Sequence, residues 1–281
     1  MIRNGLIGIG ILLATAGGAS AQSPVERGNY LVNGVLTCGN CHTPRAKGGV
    51  FDMSRQLSGG PQVFDEPAFV VRGSNLTPDK DTGIGSWSEA DIKKALQEGV
   101  RPNGTPLAAI MPYAFYKIFT PRDLDAVVAY LKLIPAVSNK VQAPVYRAAS
   151  HASPPLGAEK SMREADLKDP VKNGFYLFTI AHCAECHTPF VKDHPDYNNL
   201  GKGGREFKGP WGVSVSRNIT PHKTAGIGAW SDAEIKTAIT KGARRDGTPL
   251  KPPMGYELYA TMTDADLSAL VVYMRTLPPK E

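Results

Sequence analysis

Two short cysteine motifs carry the clearest chemistry in this 281-residue chain. Each has the form C-x-x-C-H followed by Thr-Pro, and together they use all 4 cysteines of the sequence. Two thiols about one helical turn apart can each form a thioether with a haem vinyl group, and the adjacent histidine then lies under the iron as an axial ligand. The residues concerned are Cys38, Cys41, His42, Cys183, Cys186 and His187.

Three other kinds of site share part of this motif. A thioredoxin-like pair requires a βαβ context, and the sequence shows no alternating strand pattern of useful length. A zinc site requires further ligands for each motif, but the other histidines do not repeat between the copies. A structural disulfide is the simplest alternative for an exported chain. Duplication of the whole motif favours two covalently attached haem c groups. The histidines outside the motifs are His151, His182, His194 and His222.

The motifs belong to an internal repeat that covers most of the chain. Cys38 matches Cys183 at an offset of 145, and further on the offset settles at 143, where Trp87 matches Trp230. The repeat predicts two tandem domains over 24–137 and 171–281. Between them, residues 138–170 are rich in proline and scattered charge, which predicts a linker on the surface.

The repeat also selects a candidate for the remaining axial position of each iron. Of 7 methionines, only Met111 and Met254 coincide at offset 143. Each lies in a proline-flanked loop downstream of its C-x-x-C-H motif. A single methionine is more often core filler than ligand, but an equivalent pair at these positions favours ligation. The predicted iron ligands are therefore His42 and Met111 in one unit, and His187 and Met254 in the other.

Helical patterns predict the elements that position these residues. Capping boxes at Ser88 and Ser231 each precede a short amphipathic stretch. A final helix begins near Thr120 or Thr263 in the two copies, and a third helix runs into each cysteine motif. We therefore expect an all-α fold, with a few short helices of each domain wrapped around a haem.

The first 21 residues indicate the location of the protein, and its net charge limits the kinds of partner. Arg3, an apolar stretch and Ala19-Ser20-Ala21 are typical of a secretory signal peptide. This interpretation is preferred to an uncleaved anchor, because the stretch is short for a membrane span. A net charge of +6 without a long basic run argues against nucleic-acid binding.

At this point the chain resembles a tandem di-haem member of the cytochrome c superfamily. The Asn-x-Thr-Pro…Gly-Ile-Gly-x-Trp-Ser block, present at Asn75 and again at Asn218, is similar to the cytochrome c subunits of bacterial periplasmic alcohol, aldehyde and gluconate dehydrogenase complexes. Those subunits commonly carry three haem domains, whereas this chain has two. The resemblance implies that Trp87 and Trp230 lie near haem propionates, although simple core packing explains them equally well. The two asparagines are expected to fix their Thr-Pro turns.

Two function classes follow from two haems. One is an electron relay with both irons closed by methionine, which passes electrons from a periplasmic dehydrogenase or quinol to a downstream cytochrome, oxidase or quinone pool. The other is a di-haem enzyme, peroxidase-like or thiosulfate-oxidising, with one reactive haem. The paired methionines and the absence of a spare cysteine favour the relay. We expect a periplasmic protein, and peripheral association with the membrane is left open.

Overall fold

The computed structural model describes residues 22–60, 62–192, 194–209 and 211–281, so the predicted signal peptide at 1–21 lies outside the described residues. The helices are α1 (Pro24–Tyr30), α2 (Gly39–His42), α3 (Glu89–Glu98), α4 (Pro121–Leu133), α5 (Pro170–Ile180), α6 (Cys183–His187), α7 (Asp232–Lys241), α8 (Tyr256–Tyr259) and α9 (Asp264–Thr276). Short 3-10 helices cover Met53–Arg55, Tyr113–Ile118, Glu164–Lys168 and Tyr197–Asn199. Within these described ranges, no helix is both long and apolar enough to cross a membrane.

The helices begin where the capping residues predict. Ser88 and Ser231 both form complete capping boxes, each with an acidic side chain three residues later. Thr120 and Thr263 cap α4 and α9 by accepting from the backbone three residues on. These four starts confirm the predicted helix positions, because each cap satisfies backbone N–H groups that the first turn leaves unpaired.

In both halves the first helix crosses the last one at a glycine. A Cβ atom on Gly28 of α1 would lie 2.0 Å from the carbonyl oxygen of Ala126 in α4. A Cβ atom on Gly174 of α5 would lie 2.1 Å from the carbonyl oxygen of Ala269 in α9. Only glycine therefore permits this close crossing, and the same packing recurs at the same place in each half.

The first half carries one extra residue in its first helix. Cys38 lies ten residues after the crossing glycine Gly28, whereas Cys183 lies nine residues after Gly174. The chain accommodates the extra residue in a π-helical turn, Leu31–Val35, which continues α1. Most π turns are single-turn bulges of this kind. The sequence predicts an unbroken short helix here, and the structure corrects that detail.

The prediction of an all-α fold is wrong in detail, because seven short strands accompany the helices in the described residues. They form three small antiparallel sheets, ordered β1-β2-β3, β4-β5 and β6-β7. Each strand has two to four residues and most of their side chains are at least partly exposed, so no long alternation marks them in the sequence. The strands are β1 (Val63–Glu66), β2 (Phe69–Arg72), β3 (Val145–Tyr146), β4 (Phe190–Val191), β5 (His194–Pro195), β6 (Glu206–Gly209) and β7 (Gly212–Val215).

The predicted linker, 138–170, packs against both halves. Its strand β3 extends the β1–β2 hairpin through the pairs Phe69–Tyr146 and Val70–Val145. Ala158 of the linker is fully buried, and the carbonyl of Ser153 accepts a hydrogen bond from Tyr197. Residues 138–170 are mostly exposed, and these contacts attach them to both halves of the chain.

The two halves meet through a reciprocal pair of hydrogen bonds. Tyr176 of α5 donates to Asp123 of α4 at 2.8 Å. Tyr30 of α1 donates to Asp266 of α9 at 2.5 Å. Tyr30 and Tyr176 each lie two residues after the crossing glycine, and the two aspartates each lie three residues after a capping threonine. Each half thus supplies one donor tyrosine and one acceptor aspartate to the junction. The hydrophobic core is continuous across it.

Candidate haem-binding sites

Each C-x-x-C-H motif forms a single helical turn. In the first motif, the N–H groups of Cys41 and His42 both donate to the carbonyl of Cys38, at 3.3 and 3.0 Å. The second motif forms α6, with the first cysteine at its amino end. Both turns are entered through a residue in the left-handed conformation, Thr37 with φ 48° and His182 with φ 44°. The motifs therefore have the short helical form that the spacing predicts.

All four thiols are free and half-buried. Burial raises the pKa of each thiol to about 12, so the cysteines are protonated at neutral pH. A zinc site on either motif needs further ligands, and the part of the chain that the structure describes contains no group of three or more His, Cys, Asp or Glu side chains that could hold a metal ion. The disulfide expected under the alternative interpretation is not formed in either motif. Free thiols paired on one helical turn fit thioether attachment of haem c.

Both motif histidines are oriented by a backbone carbonyl. Nδ1 of His42 lies 2.7 Å from the carbonyl oxygen of Ser74, and Nδ1 of His187 lies 2.6 Å from that of Arg217. Since a carbonyl only accepts, Nδ1 carries the proton, and Nε2 is the nitrogen with a free lone pair. Burial lowers the pKa of both histidines, which favours the neutral, ligating form. This is the arrangement that an axial iron ligand requires.

The carbonyls of Ser74 and Arg217 were not predicted from the sequence. Each follows a hairpin strand by two residues, β2 in the first half and β7 in the second. Backbone oxygens leave no trace in residue type, but both positions directly precede the repeated asparagines Asn75 and Asn218. The repeated asparagine after each carbonyl was the only feature of the sequence that could have pointed to these positions. The small hairpins therefore serve the site, because they bring a carbonyl to each histidine.

The repeated asparagines fix their turns, as predicted. Asn75 Oδ1 accepts from the backbone and the hydroxyl of Thr77, at 2.9 and 2.7 Å. Asn218 does the same with Thr220, at 2.8 and 2.7 Å. Their amide groups also donate to the segment after the final helix, at Val137 in the first half. The loop that follows each histidine-orienting carbonyl is thereby held to the body of its half.

Both predicted methionine ligands are half-buried and pack against the main hydrophobic core. Met111 precedes the 3-10 helix Tyr113–Ile118, and Met254 precedes α8 at the equivalent place. The core against which they pack also receives Cys38 and Cys183. The structure therefore gathers methionine and cysteine around one apolar interior in both halves, and iron ligation by the methionines stays a prediction.

The two repeated tryptophans, Trp87 and Trp230, also pack against this core and are half-buried. The backbone N–H of Trp87 donates to Ile84, and that of Trp230 donates to Ile227, each at 3.0 Å. Arg275 donates to the carbonyl of Trp230 at 2.5 Å. These contacts fix the backbone of the two residues in the same way, and a role near the haem propionates stays a prediction.

Charged and polar side chains that the sequence did not single out lie beside the motifs. Arg45 donates to Asn40 inside the first motif at 3.0 Å and stacks 3.9 Å from the ring centre of Phe51. Arg205 donates to the carbonyl of Glu185 inside the second motif and stacks on Phe190. Burial raises the pKa of Glu185 to about 7, partly offset by Arg205. Each motif therefore has a cation at its third residue.

Residues 171–278 match the cytochrome c family. This part of the chain is similar to a cytochrome c domain. A domain of this family holds haem c covalently, and here the cysteines available for that attachment are Cys183 and Cys186. The first half repeats the same motif, histidine geometry and methionine position.

Curated relatives resemble nearly the whole chain. The fructose dehydrogenase cytochrome subunit of Gluconobacter japonicus is 33% identical over 93% of the chain and 54% of its own length. The cytochrome c subunit of a quinone-dependent alcohol dehydrogenase from Gluconacetobacter polyoxogenes is 29% identical over 94% of the chain and 59% of its own length. A dihaem cytochrome c-type protein of Cereibacter sphaeroides is 28% identical over 96% of both chains. The chain thus spans little more than half of the dehydrogenase subunits it resembles.

Proposed function

We propose that the chain is a two-haem electron relay of a periplasmic dehydrogenase system. One haem is held by Cys38 and Cys41, and the other by Cys183 and Cys186. His42 with Met111, and His187 with Met254, would be the ligands of the two irons. The observation that carries this proposal is the repeated histidine geometry, in which Nδ1 donates to a carbonyl at 2.7 and 2.6 Å in the two halves.

In this mechanism the protein residues bind each haem, orient its histidine ligand and enclose the site. Thioethers from the cysteines would fix each haem to its helical turn, and the carbonyls of Ser74 and Arg217 orient the histidine rings so that Nε2 is available as a ligand. Haem iron supplies reversible one-electron chemistry when bound. Histidine–methionine ligation raises its reduction potential relative to more electron-donating ligands. If Met111 and Met254 complete the coordination of the two irons, neither iron would be open to a substrate, and the protein would pass electrons without transforming a molecule.

The relatives supply the partners of this proposal. Several are named as cytochrome subunits of fructose, alcohol and gluconate dehydrogenases. We infer that the electron donor is a dehydrogenase subunit, and that the acceptor is a cytochrome, an oxidase or the quinone pool. This supports the relay over the di-haem enzyme. From the signal-like leader we infer a protein exported to the periplasm, and we propose that it associates peripherally with the membrane.

The number of haems is tested by the intact mass of the exported protein. We expect two covalent haem additions and loss of residues 1–21. A variant with Cys183 and Cys186 both changed to alanine is the matched control, and we expect it to keep one haem, on the first motif. A single haem in the unmodified protein, with free thiols on either motif, would contradict the two-haem proposal. A retained leader would instead support the anchor.

A further inference from the structure

The residues that precede the two motifs touch each other across the junction. Thr37 comes directly before Cys38, and His182 directly before Cys183. Oγ1 of Thr37 lies 3.4 Å from Nε2 of His182, and the same nitrogen lies 3.1 Å from the carbonyl oxygen of Leu36. Because that carbonyl can only accept, Nε2 carries the proton and donates it into the first half. The His182 ring is therefore a link from the second motif to the backbone of the first.

The residues around this link are mostly buried. Leu36 and Thr37 are 1% and 3% exposed, and Ala181, next to His182, is 1% exposed. Tyr259 donates from its hydroxyl group to the carbonyl of Ala181 at 2.8 Å, which holds the backbone before His182 in place. The His182 side chain itself is 20% exposed, and its Nδ1 lies 3.4 Å from Oε2 of Glu185, so the enclosed side of the ring is the one on which Nε2 meets Leu36 and Thr37. Satisfied buried polar contacts of this kind fix one local geometry.

A second contact joins the first motif to the methionine loop of the second half. Nδ2 of Asn40, between the two cysteines of the first motif, lies 3.2 Å from the carbonyl oxygen of Pro253. Pro253 is bonded to Met254, the proposed ligand of the second iron. The first motif thus reaches the second site on two sides, through its preceding residue and through its interior.

We propose that electrons pass between the two haems at this junction, and that His182 is the positioning residue that sets the separation and contact of the two attachment motifs. The inference rests on the proposed function. From Cys38 to Cys183 the connection runs through Thr37 and His182 and crosses a single hydrogen-bonded contact. One electron leaves the reduced iron of one half and reduces the oxidised iron of the other, with no proton or covalent bond exchanged.

The test measures electron transfer between the haems of the holoprotein after rapid photoreduction. A Met111→His background makes the first haem spectroscopically distinct, since it replaces the thioether ligand with imidazole. Into this background we place His182→Phe, which keeps a ring but removes both ring nitrogens, and His182→Gln, which keeps an N–H donor. His222→Gln is the matched control, because the ring of His222 bonds within its own turn, to Ala225.

We expect His182→Phe to slow the transfer severalfold, His182→Gln to restore most of the rate, and the control to leave the rate unchanged. Thr37→Val removes the hydroxyl from the other side without altering the second motif, and it should also slow the transfer. An unchanged rate in Thr37→Val and in a fully loaded His182→Phe would overturn the proposal. If His182→Phe does not load both haems, the rate in Thr37→Val decides. Haem counting by mass keeps the two proposals apart, because failure of the relay appears as fewer than two haems in the unmodified protein.

Discussion

Tyr176 and Asp123 form a buried hydrogen bond of 2.8 Å between the two halves of the chain, and Arg27 holds the same carboxylate from its own half. Nε and Nη2 of Arg27 lie 2.8 and 2.7 Å from the two carboxylate oxygens. The Tyr176 side chain is fully buried and that of Asp123 is 2% exposed. The carboxylate is thus neutralised within one half and used as an acceptor by the other.

Removing the Asp123 charge should destabilise the protein strongly. Asp123→Asn leaves the guanidinium of Arg27 without its partner in a largely buried place, at a cost of about 3 kcal/mol in the free energy of unfolding. Asp266→Asn is the matched control, because Asp266 forms the equivalent contact with Tyr30 but is only half-buried. This change should lower the free energy of unfolding by about 1 kcal/mol. Urea denaturation of the haem-loaded variants, followed by circular dichroism, measures both. Equal costs would contradict the unequal burial of the two contacts.

Alkaline pH should weaken the other junction contact. Burial, together with the charge of Asp266, raises the pKa of Tyr30 to about 12 from its ordinary value of 10. A pKa raised in the folded state means that the neutral phenol is favoured there, so its contribution is fully present below pH 10 and is lost as the pH rises towards 12. Unfolding free energies measured from pH 8 to 11 should therefore fall less steeply in Tyr30→Phe. If the unfolding free energies of the unmodified protein and of Tyr30→Phe fall in parallel with pH, ionisation of Tyr30 is not the cause of the loss of stability.

Each methionine should govern its own iron. Met111→Ala and Met254→Ala should each open one coordination position, lower the reduction potential of that haem and permit one carbon monoxide to bind to the reduced protein. Met162→Ala, in the linker, is the control and should change neither property. Optical titration with carbon monoxide provides the count. Stoichiometric binding by the unmodified protein would show an open iron and return the di-haem enzyme as the better proposal.

Positive charge near the second haem should give it the higher reduction potential of the two. The second haem should therefore be the one that delivers electrons to the acceptor. Residues 236–251 carry more lysine and arginine than the equivalent 93–108, and such charge favours the reduced haem and attracts acidic partners at low salt. Arg245 pairs with Glu234 at 3.3 Å, whereas Arg244 bonds to the hydroxyl of Thr248.

The double change of Arg244 and Arg245 to glutamate should lower the potential of the second haem and slow electron delivery at low ionic strength. Spectroelectrochemistry and delivery rates at several salt concentrations test both statements. Unaltered potentials with rates independent of salt would remove the assigned direction.

The sequence predicts the parts of this molecule that residue type controls. The capping serines and threonines mark the helix starts, and the repeat selects the cysteines, histidines and methionines. The hairpins escape prediction because their strands are too short to alternate, and the carbonyls of Ser74 and Arg217 escape it because a backbone oxygen has no residue type. The equivalence of Tyr30 and Tyr176 is hidden by the extra residue in the π turn, which shifts the register ahead of the first cysteine.

The reciprocal Tyr–Asp contacts have the form of a homodimer interface enclosed in one polypeptide. In a two-fold dimer, each subunit presents both members of every contact, so that one surface complements its own copy. Each half here carries both a donor tyrosine and an acceptor aspartate, and each uses them on the other half. The junction therefore has the two-fold arrangement of an interface between identical subunits. Thr37 and His182 occupy equivalent places before the two motifs, and because their side chains differ, the contact between them departs from that symmetry.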